Sequence, residues 1–379
     1  MPFLRYLKEW GYTVRLIAFT DQQSDQENDE VIRIPKQKAL HSGLILFEYV
    51  KVYLNVNKAV KKILDGGFTP DLIISFNNPM LSRVAEKYRR ENCAKHIIHI
   101  GHLMAESKIY SRNSITRLIG YAARYIRNRQ LKKADQIWVM SPEMKRYFSN
   151  IIRKEKIKIW PSAVSTEFEP SYYQTLTDQL KVKLQIDVKD KIIIYIGTLN
   201  KIRGLEFVLN SMKRVLEKKT NVKLLFIGYT VNSNDLDFLI DYAKRVKIQD
   251  NVIFHPPVSE DELPYYIKIA DVGISPFKPT FVLKHNSPLK LLEYFKAGIP
   301  VVATDTPDQQ LILEESKAGI LVKWDETEFA DAIVKILSFS LEEKRKIGSR
   351  GYDWVKQNRE IEQLTRTMAN WFQELRNSG

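Results

Sequence analysis

Apolar and polar positions along the chain fall into two recurring patterns. Short runs of almost unbroken apolar residues read as buried strands at 191–197, 221–228, 251–255, 271–275, 300–304 and 319–323. Stretches with apolar residues at helical spacing separate them, at 204–218, 233–246, 259–269, 288–297, 308–316 and 326–338; helices at 340–357 and 359–375 close the chain. Strand–helix alternation with strands apolar on both faces predicts a parallel sheet covered by helices on both sides. The first half repeats the pattern less regularly. Its strands are expected at 12–19, 71–76, 96–100 and 136–140, with a short one at 31–34, and its helices at 42–65, 79–91, 113–133 and 142–150. The acidic run from Asp21 to Glu30 reads as a solvated loop, and a polar connection covers 161–189.

These patterns predict an α/β chain in three parts. Residues 1–175 form one Rossmann-like domain and residues 176–358 a second; the helix in 359–379 packs back toward the first. A length of 379 residues fits two domains. The opening is unusual. Phe3, Leu4 and Leu7 read as the end of a helix and the next element is already a strand, whereas a doubly wound domain normally starts with a strand and a tight turn. The expectation is a first domain that lacks that strand and its Gly-rich turn, or a chain whose start is truncated; DNA upstream of Met1 would then encode them in frame.

Composition narrows the chemistry. A single cysteine, Cys93, excludes a disulfide framework and a Cys-based zinc site, and reads as a small buried side chain in a reducing compartment. The six histidines show no metal-binding spacing, so no metal is expected. No signal peptide is visible, and no apolar run approaches the ~18–20 residues of a membrane span. The expected location is cytoplasmic. Net charge is +14 and unevenly placed: residues 1–170 carry 29 Lys and Arg against 17 Asp and Glu, residues 171–379 carry 30 against 28. The first half thus favours an anionic partner, such as the inner face of the cytoplasmic membrane. A basic helix over 113–133 carries Arg117, Arg124, Arg127, Arg129, Lys132 and Lys133, with Ile115, Leu118, Ile119, Ala122 and Ile126 on another face. It is either a membrane-surface element or a helix packed on its own sheet with a solvated basic face. No zinc-finger or aromatic RNA-binding signature appears, so no nucleic-acid partner is expected.

The densest chemistry lies in Asn286–Ser287–Pro288–Leu289–Lys290–Leu291–Leu292–Glu293, just before a buried strand. Ser287 is a favoured N-cap and Pro288 a favoured first helical residue, so the helix dipole and Lys290 together make an anion site. Glu293, three residues on, shares a helix face with Lys290 and suits ribose hydroxyls. A second anion site follows the 191–197 strand in Gly197–Thr198–Leu199–Asn200–Lys201–Ile202–Arg203–Gly204, where Arg203 grips phosphate as a fork and Lys201 as a point charge, with a helix starting at Gly204. The bland alternatives are two solvated loop cations at 197–204 and an ordinary helix carboxylate at Glu293, and the pairing of the two segments favours the anion-site reading. His102, at the end of the 96–100 strand beside Gly101, sits where substrate-orienting groups sit in such folds; His99 reads as structural, and Glu106 as a helix N-terminal carboxylate.

With these residues in place, the chain resembles retaining glycosyltransferases of the GT-B fold, family 4 (group 1), most strongly over 191–325. The resemblance implies two doubly wound domains whose parallel sheets face a central cleft, and a nucleotide-diphosphate sugar bound mainly by the second. Gly197 to Gly204 is similar to the family's glycine turn and Lys-Gly pair, with Arg203 in the lysine position and Thr198 where the family has arginine. Residues 285–293 resemble its E-x7-E element, with Glu293 as the implied ribose ligand and His285 in place of the first Glu. The helix start at Ser287, Pro288 and Leu289, next to Asn286, is implied to present amides to the diphosphate. The base is expected against His255 to Val258, and His102 matches the family's catalytic-site histidine. Ile159 to Ser165 resembles the interdomain Pro-Asn-Gly-Val-Asp segment.

The implied activity moves a hexose-type sugar from a nucleotide-diphosphate donor to a saccharide or lipid-linked acceptor, in cell-surface polysaccharide or glycolipid synthesis, with no cofactor and retention at the anomeric carbon. The alternatives are a nucleotide-sugar epimerase of the same fold, for which the first half has few carboxylates and histidines, and a non-catalytic basic binding protein.

Overall fold

The computed structural model describes residues 2–20, 31–35, 45–76, 78–167, 173–230 and 232–377. The expected acidic loop Asp21–Glu30 lies outside the described residues. The chain divides into two compact units, Met1–Pro161 with Ile361–Gly379, and Ser162–Glu360. The division falls earlier than residue 175 because Ser162 and Val164 already bond within the second unit, Ser162 to Ser287 and Val164 to Arg359 and Glu360.

The first unit contains α1 (Pro2–Glu9), β1 (Leu16–Thr20), β2 (Val31–Pro35), α2 (Ile45–Asp65), β3 (Leu72–Phe76), α3 (Pro79–Glu91), β4 (Lys95–Ile100), α4 (Met104–Ile109), α5 (Ser114–Lys133), β5 (Gln136–Val139), α6 (Pro142–Ser149) and β6 (Ile157–Ile159). Strands β3-β4-β5-β6 form a parallel sheet in that order, and β1 pairs with β2 in parallel. The central strands explain the unbroken apolar runs: Ile97, Ile137, Trp138 and Val139 are fully buried. Three helices begin on a side-chain cap, with Asn78, Asn113 and Ser141 each accepting a hydrogen bond from a first-turn amide. Strand β6 went unseen in the sequence, because three residues are too few to show a period, whereas α4 carries Glu106 in its first turn, as expected of a helix N-terminal carboxylate.

The second unit contains α7 (Tyr173–Lys183), β7 (Lys191–Ile196), α8 (Glu206–Lys218), β8 (Val222–Ile227), α9 (Ser233–Arg245), β9 (Val252–His255), α10 (Leu263–Lys268), β10 (Val272–Ser275), α11 (Leu289–Lys296), β11 (Val301–Thr304), α12 (Pro307–Ser316), β12 (Gly319–Val322), α13 (Glu326–Ser338) and α14 (Leu341–Asn358). Helix α7 interrupts the expected polar connection; Leu180 and Ile186 anchor that stretch in the core below the sheet. All six strands are parallel, in the order β12-β11-β10-β7-β8-β9. Buried clusters line both faces, one around Ile194, Leu292 and Phe295, the other around Ile193, Leu209 and Phe329. The order reverses between β7 and β10, which makes the space beyond their carboxyl ends the ligand crevice of a doubly wound sheet.

The closing helix α15 (Ile361–Asn377) returns to the first unit. Its Met368 and Ala369 are buried with Leu7 of α1 and Trp138 of β5, and Phe372 stacks on Trp138 at 5.7 Å. Cys93 is exposed and left-handed at φ 53°, against the expectation of a buried side chain, because it lies in the turn between α3 and β4.

Candidate donor site

The β7–β10 seam is built around Tyr294. Only Val272–Ile193 and Gly273–Ile194 pair across it. Beyond them the buried Tyr294 hydroxyl takes over, accepting from the Ile196 amide (2.9 Å) and lying within bonding distance of the Ile194 and Ile274 carbonyls (3.2 and 3.3 Å). Gly273 makes this possible, since a Cβ there would lie 2.4 Å from the Tyr294 ring. The tyrosine pins α11 across the point where the two strands part.

Lys290, one turn earlier in α11, reaches into that crevice. Its ammonium lies 3.8 Å from the centroid of the Tyr195 ring and 5.5 Å from that of Phe277. It is shielded from solvent and has no hydrogen-bond partner among the described residues. Burial, and next the Arg203 guanidinium, push its pKa well below the usual lysine range. Arg203 sits 5.8 Å over the same Phe277 ring. Gly197, with φ at 135°, passes so close that a Cβ would lie 3.4 Å from the lysine nitrogen. The loop is fixed from beneath by a Tyr195 hydroxyl bond to the Thr198 carbonyl and a Tyr229 carbonyl bond from the Leu199 amide. Two cations with no acidic partner among the described residues, beside a glycine turn at a sheet crossover, form an anion-binding arrangement.

Other predicted residues are placed differently. Lys201 turns away: its ammonium lies 5.0 Å over the Phe238 ring of α9. The helix expected from Gly204 begins at Glu206. Residues 201–203 form a 3-10 turn capped by Asn200, and Gly204 is left-handed. Ser287 is not the N-cap of α11; Pro288 is. Pro288 has no N–H to offer, and the Leu289 amide already bonds the Ser287 carbonyl at 3.1 Å. Ser287 is instead held from behind. The Ser162 amide and the Arg359 guanidinium approach its hydroxyl at 3.3 and 3.4 Å, and the same guanidinium pairs with Asp308. Asn286 is buried beside it.

His285 is buried, its Nδ1 2.6 Å from the Phe281 carbonyl, so that nitrogen carries the proton. Glu293 forms no ion pair with Lys290 among the described residues. Burial raises its pKa, Lys296 lowers it and Glu260 raises it. The loop after β9 holds half-buried Val258, and His255 ends β9 with its Nε2 3.1 Å from the Tyr266 hydroxyl. Among the described residues no group of three His, Cys, Asp or Glu side chains could hold a metal ion.

In the first unit, His102 is exposed at the mouth of a cavity of about 60 Å³ lined also by Ser82, Ile98, Ile100, Arg127 and Gln130. His99 is buried between Phe76 and Trp160, a packing role. Glu106 is buried and takes both guanidinium nitrogens of Arg127 (2.7 and 2.9 Å) and the Tyr147 hydroxyl (2.7 Å). Burial alone would raise its pKa; the Arg127 pair and Tyr147 bond prevail and hold it below the usual value.

Residues 3–168 match the family described as Glycosyltransferase Family 4, and residues 177–354 match Glycosyl transferases group 1. The chain belongs to the group 1, family 4 glycosyltransferases. This glycosyltransferase is 25% identical over 334 residues to the alpha-monoglucosyldiacylglycerol synthase of Streptococcus pneumoniae, covering 87% of this chain and 72% of that protein. It is 26% identical to the D-inositol 3-phosphate glycosyltransferase of Corynebacterium jeikeium over 47% of this chain and 42% of the relative. Its fold is similar to that of sucrose-phosphate synthase from Thermosynechococcus elongatus, with a TM-score of 0.77 at 18% identity over all of this chain and 92% of that one. It also resembles the Anabaena protein HepE in complex with UDP and glucose, with a TM-score of 0.70 at 13% identity over 95% and 99%. The fold is GT-B, with two Rossmann-like units carrying parallel sheets.

Tyr195, Phe277, Tyr294, Asp308 and Arg359 were missed as site residues. Tyr294, next to Glu293, could have been found from the position of α11 beside a strand end. The others depend on contacts across distant parts of the chain.

Proposed function

We propose that this glycosyltransferase moves a hexose-type sugar from a nucleotide-diphosphate donor to the hydroxyl of a saccharide or lipid-linked acceptor, with retention at the anomeric carbon. The observation that carries the donor half is Lys290, a solvent-shielded ammonium without a hydrogen-bond partner among the described residues, next to Arg203 and Gly197. A buried unpaired cation is costly unless a ligand neutralises it. A diphosphate would do so, and the same two cations would stabilise the charge that develops on the leaving diphosphate. Glu293 then accepts ribose hydroxyls and the β9 loop faces the base. His102 orients a sugar or acceptor hydroxyl from its cavity. The glycolipid named for the pneumococcal relative supports a lipid acceptor, and the UDP bound to the Anabaena protein makes UDP the first nucleotide to try.

A thermal-shift panel of nucleoside diphosphates and their sugars, on wild type and Glu293→Ala, tests this reading. Stabilisation by one nucleotide class, reduced in the variant, is expected. No response to any member of the panel overturns it.

A further inference from the structure

Helix α5 carries a face that its own unit does not use. Its inner side packs through the buried Gly120 and Leu131. Gly120 lets α4 approach closely: a Cβ there would lie 2.7 Å from the Ile109 amide and 2.9 Å from the Ala105 carbonyl. The sequence alone allowed the apolar stripe to cover the sheet, and the structure places it outside. Ile115, Leu118, Ala122, Tyr125 and Ile126, at helical spacing, are all exposed, Leu118 by 71% and Tyr125 by 62%. Tyr121 stands beside them at 49%.

The charge around this stripe has one sign. Between Ser107 and Ala134 the chain has eight lysines and arginines and no acidic residue. One of them, Arg127, is withdrawn into the Glu106 pair. Lys132 and Lys133 are exposed at the end of α5, in line with the stripe; Arg129 is exposed within it, and Arg117 and half-buried Arg124 flank it on the Tyr121 side. Arg124 and Arg129 rest over the Tyr121 and Tyr125 rings.

We infer that this face of α5 docks on an anionic phospholipid bilayer. Aliphatic Ile115, Leu118 and Ile126 at the crest would enter the acyl boundary, the tyrosines would sit at headgroup depth, and the flanking cations would meet lipid phosphates. A purely phosphate-reading surface, as for nucleic acid, would have no use for the aliphatic crest. The other side of the same helix supplies Ala123, Arg127 and Gln130 to the His102 cavity, so docking would hold that cavity at the membrane surface, within reach of a lipid-linked acceptor. No described helix is long and apolar enough to cross a membrane, so the contact would be peripheral.

The test is co-sedimentation of the full chain with vesicles of phosphatidylglycerol and phosphatidylcholine, and with phosphatidylcholine alone. It needs no nucleotide sugar, so its outcome is independent of the donor-site reading. Binding to the anionic vesicles only is expected. Leu118→Glu with Ile126→Glu should abolish it, and Lys132→Gln with Lys133→Gln should weaken it about 25-fold. These exposed substitutions should leave the unfolding midpoint unchanged, and the glutamine pair serves if the glutamate pair unfolds. No binding to anionic vesicles, binding undiminished by either pair, or tighter binding to duplex DNA than to the vesicles would overturn the inference.

Discussion

The Lys290 ammonium sits 3.8 Å over the Tyr195 ring, sealed from solvent, with the aromatic face as its nearest favourable contact. A cation–π contact returns about 0.5–2 kcal/mol, less than the cost of burying an unpaired charge. The apo protein therefore carries a penalty that a bound anion would relieve. Lys290→Met should raise the stability of the free protein by roughly 1–4 kcal/mol while weakening diphosphate binding. Urea denaturation of wild type and variant, each with and without nucleoside diphosphate, checks both directions.

Arg359 and Asp308 form a buried pair at 3.4 Å behind Ser287. Burial raises the Asp308 pKa, and Arg359 and Ser287 lower it. Removing the guanidinium leaves a buried carboxyl and an unsupported Ser287, so Arg359→Ala should cost about 3–5 kcal/mol. Arg359→Ala with Asp308→Asn should recover part of that loss, which chemical denaturation of the three variants would show.

His96 and His99 lie in β4, and burial lowers the pKa of each from 6.5 to about 4. Between those values the unfolded chain binds protons that the folded one refuses, so stability is fully present above pH 6.5 and falls as pH drops toward 4. The loss is roughly 3 kcal/mol per histidine at the acid end. The raised pKa values of Glu293 and Asp308 act in the opposite sense and offset some of it. The unfolding midpoint measured from pH 7.5 to 4.5 should fall steadily, and His99→Gln should flatten the slope.

Gly228 lies against the donor loop. A Cβ on it would come 1.7 Å from the Gly197 carbonyl oxygen, which is backbone and must move. Gly228→Ala should therefore shift Gly197 away from Lys290, costing about 1–3 kcal/mol of stability and weakening nucleotide binding more than Lys201→Ala does. Thermal-shift titration of the two variants separates them, because Lys201 points to Phe238.

The parallel sheets were legible because Ile192 to Ile196 and Val301 to Ala303 are apolar on both faces, a pattern that only covered strands carry. Lys290 and Arg203 could be matched from their places after strand ends. The reversal of strand order between β7 and β10 could not be read, since pairing of strands far apart in sequence leaves no local periodicity. Direction was equally hidden: Lys201 and Arg203 stand two residues apart in one loop, yet a 3-10 turn sends them to different rings, Phe238 and Phe277. The α5 stripe shows the same limit, as spacing reveals a face but not what lies against it.

The most direct test of the donor site is a double-mutant cycle by calorimetry, titrating the nucleoside diphosphate that stabilises wild type into wild type, Arg203→Ala, Lys290→Met and the double variant. Each single change should weaken binding by about tenfold or more, since a charge-assisted bond is worth about 1.5–3 kcal/mol. The double variant should differ from the sum of the singles by at least about 0.5 kcal/mol, as expected for two groups on one ligand. Unchanged affinity in both single variants would contradict the account.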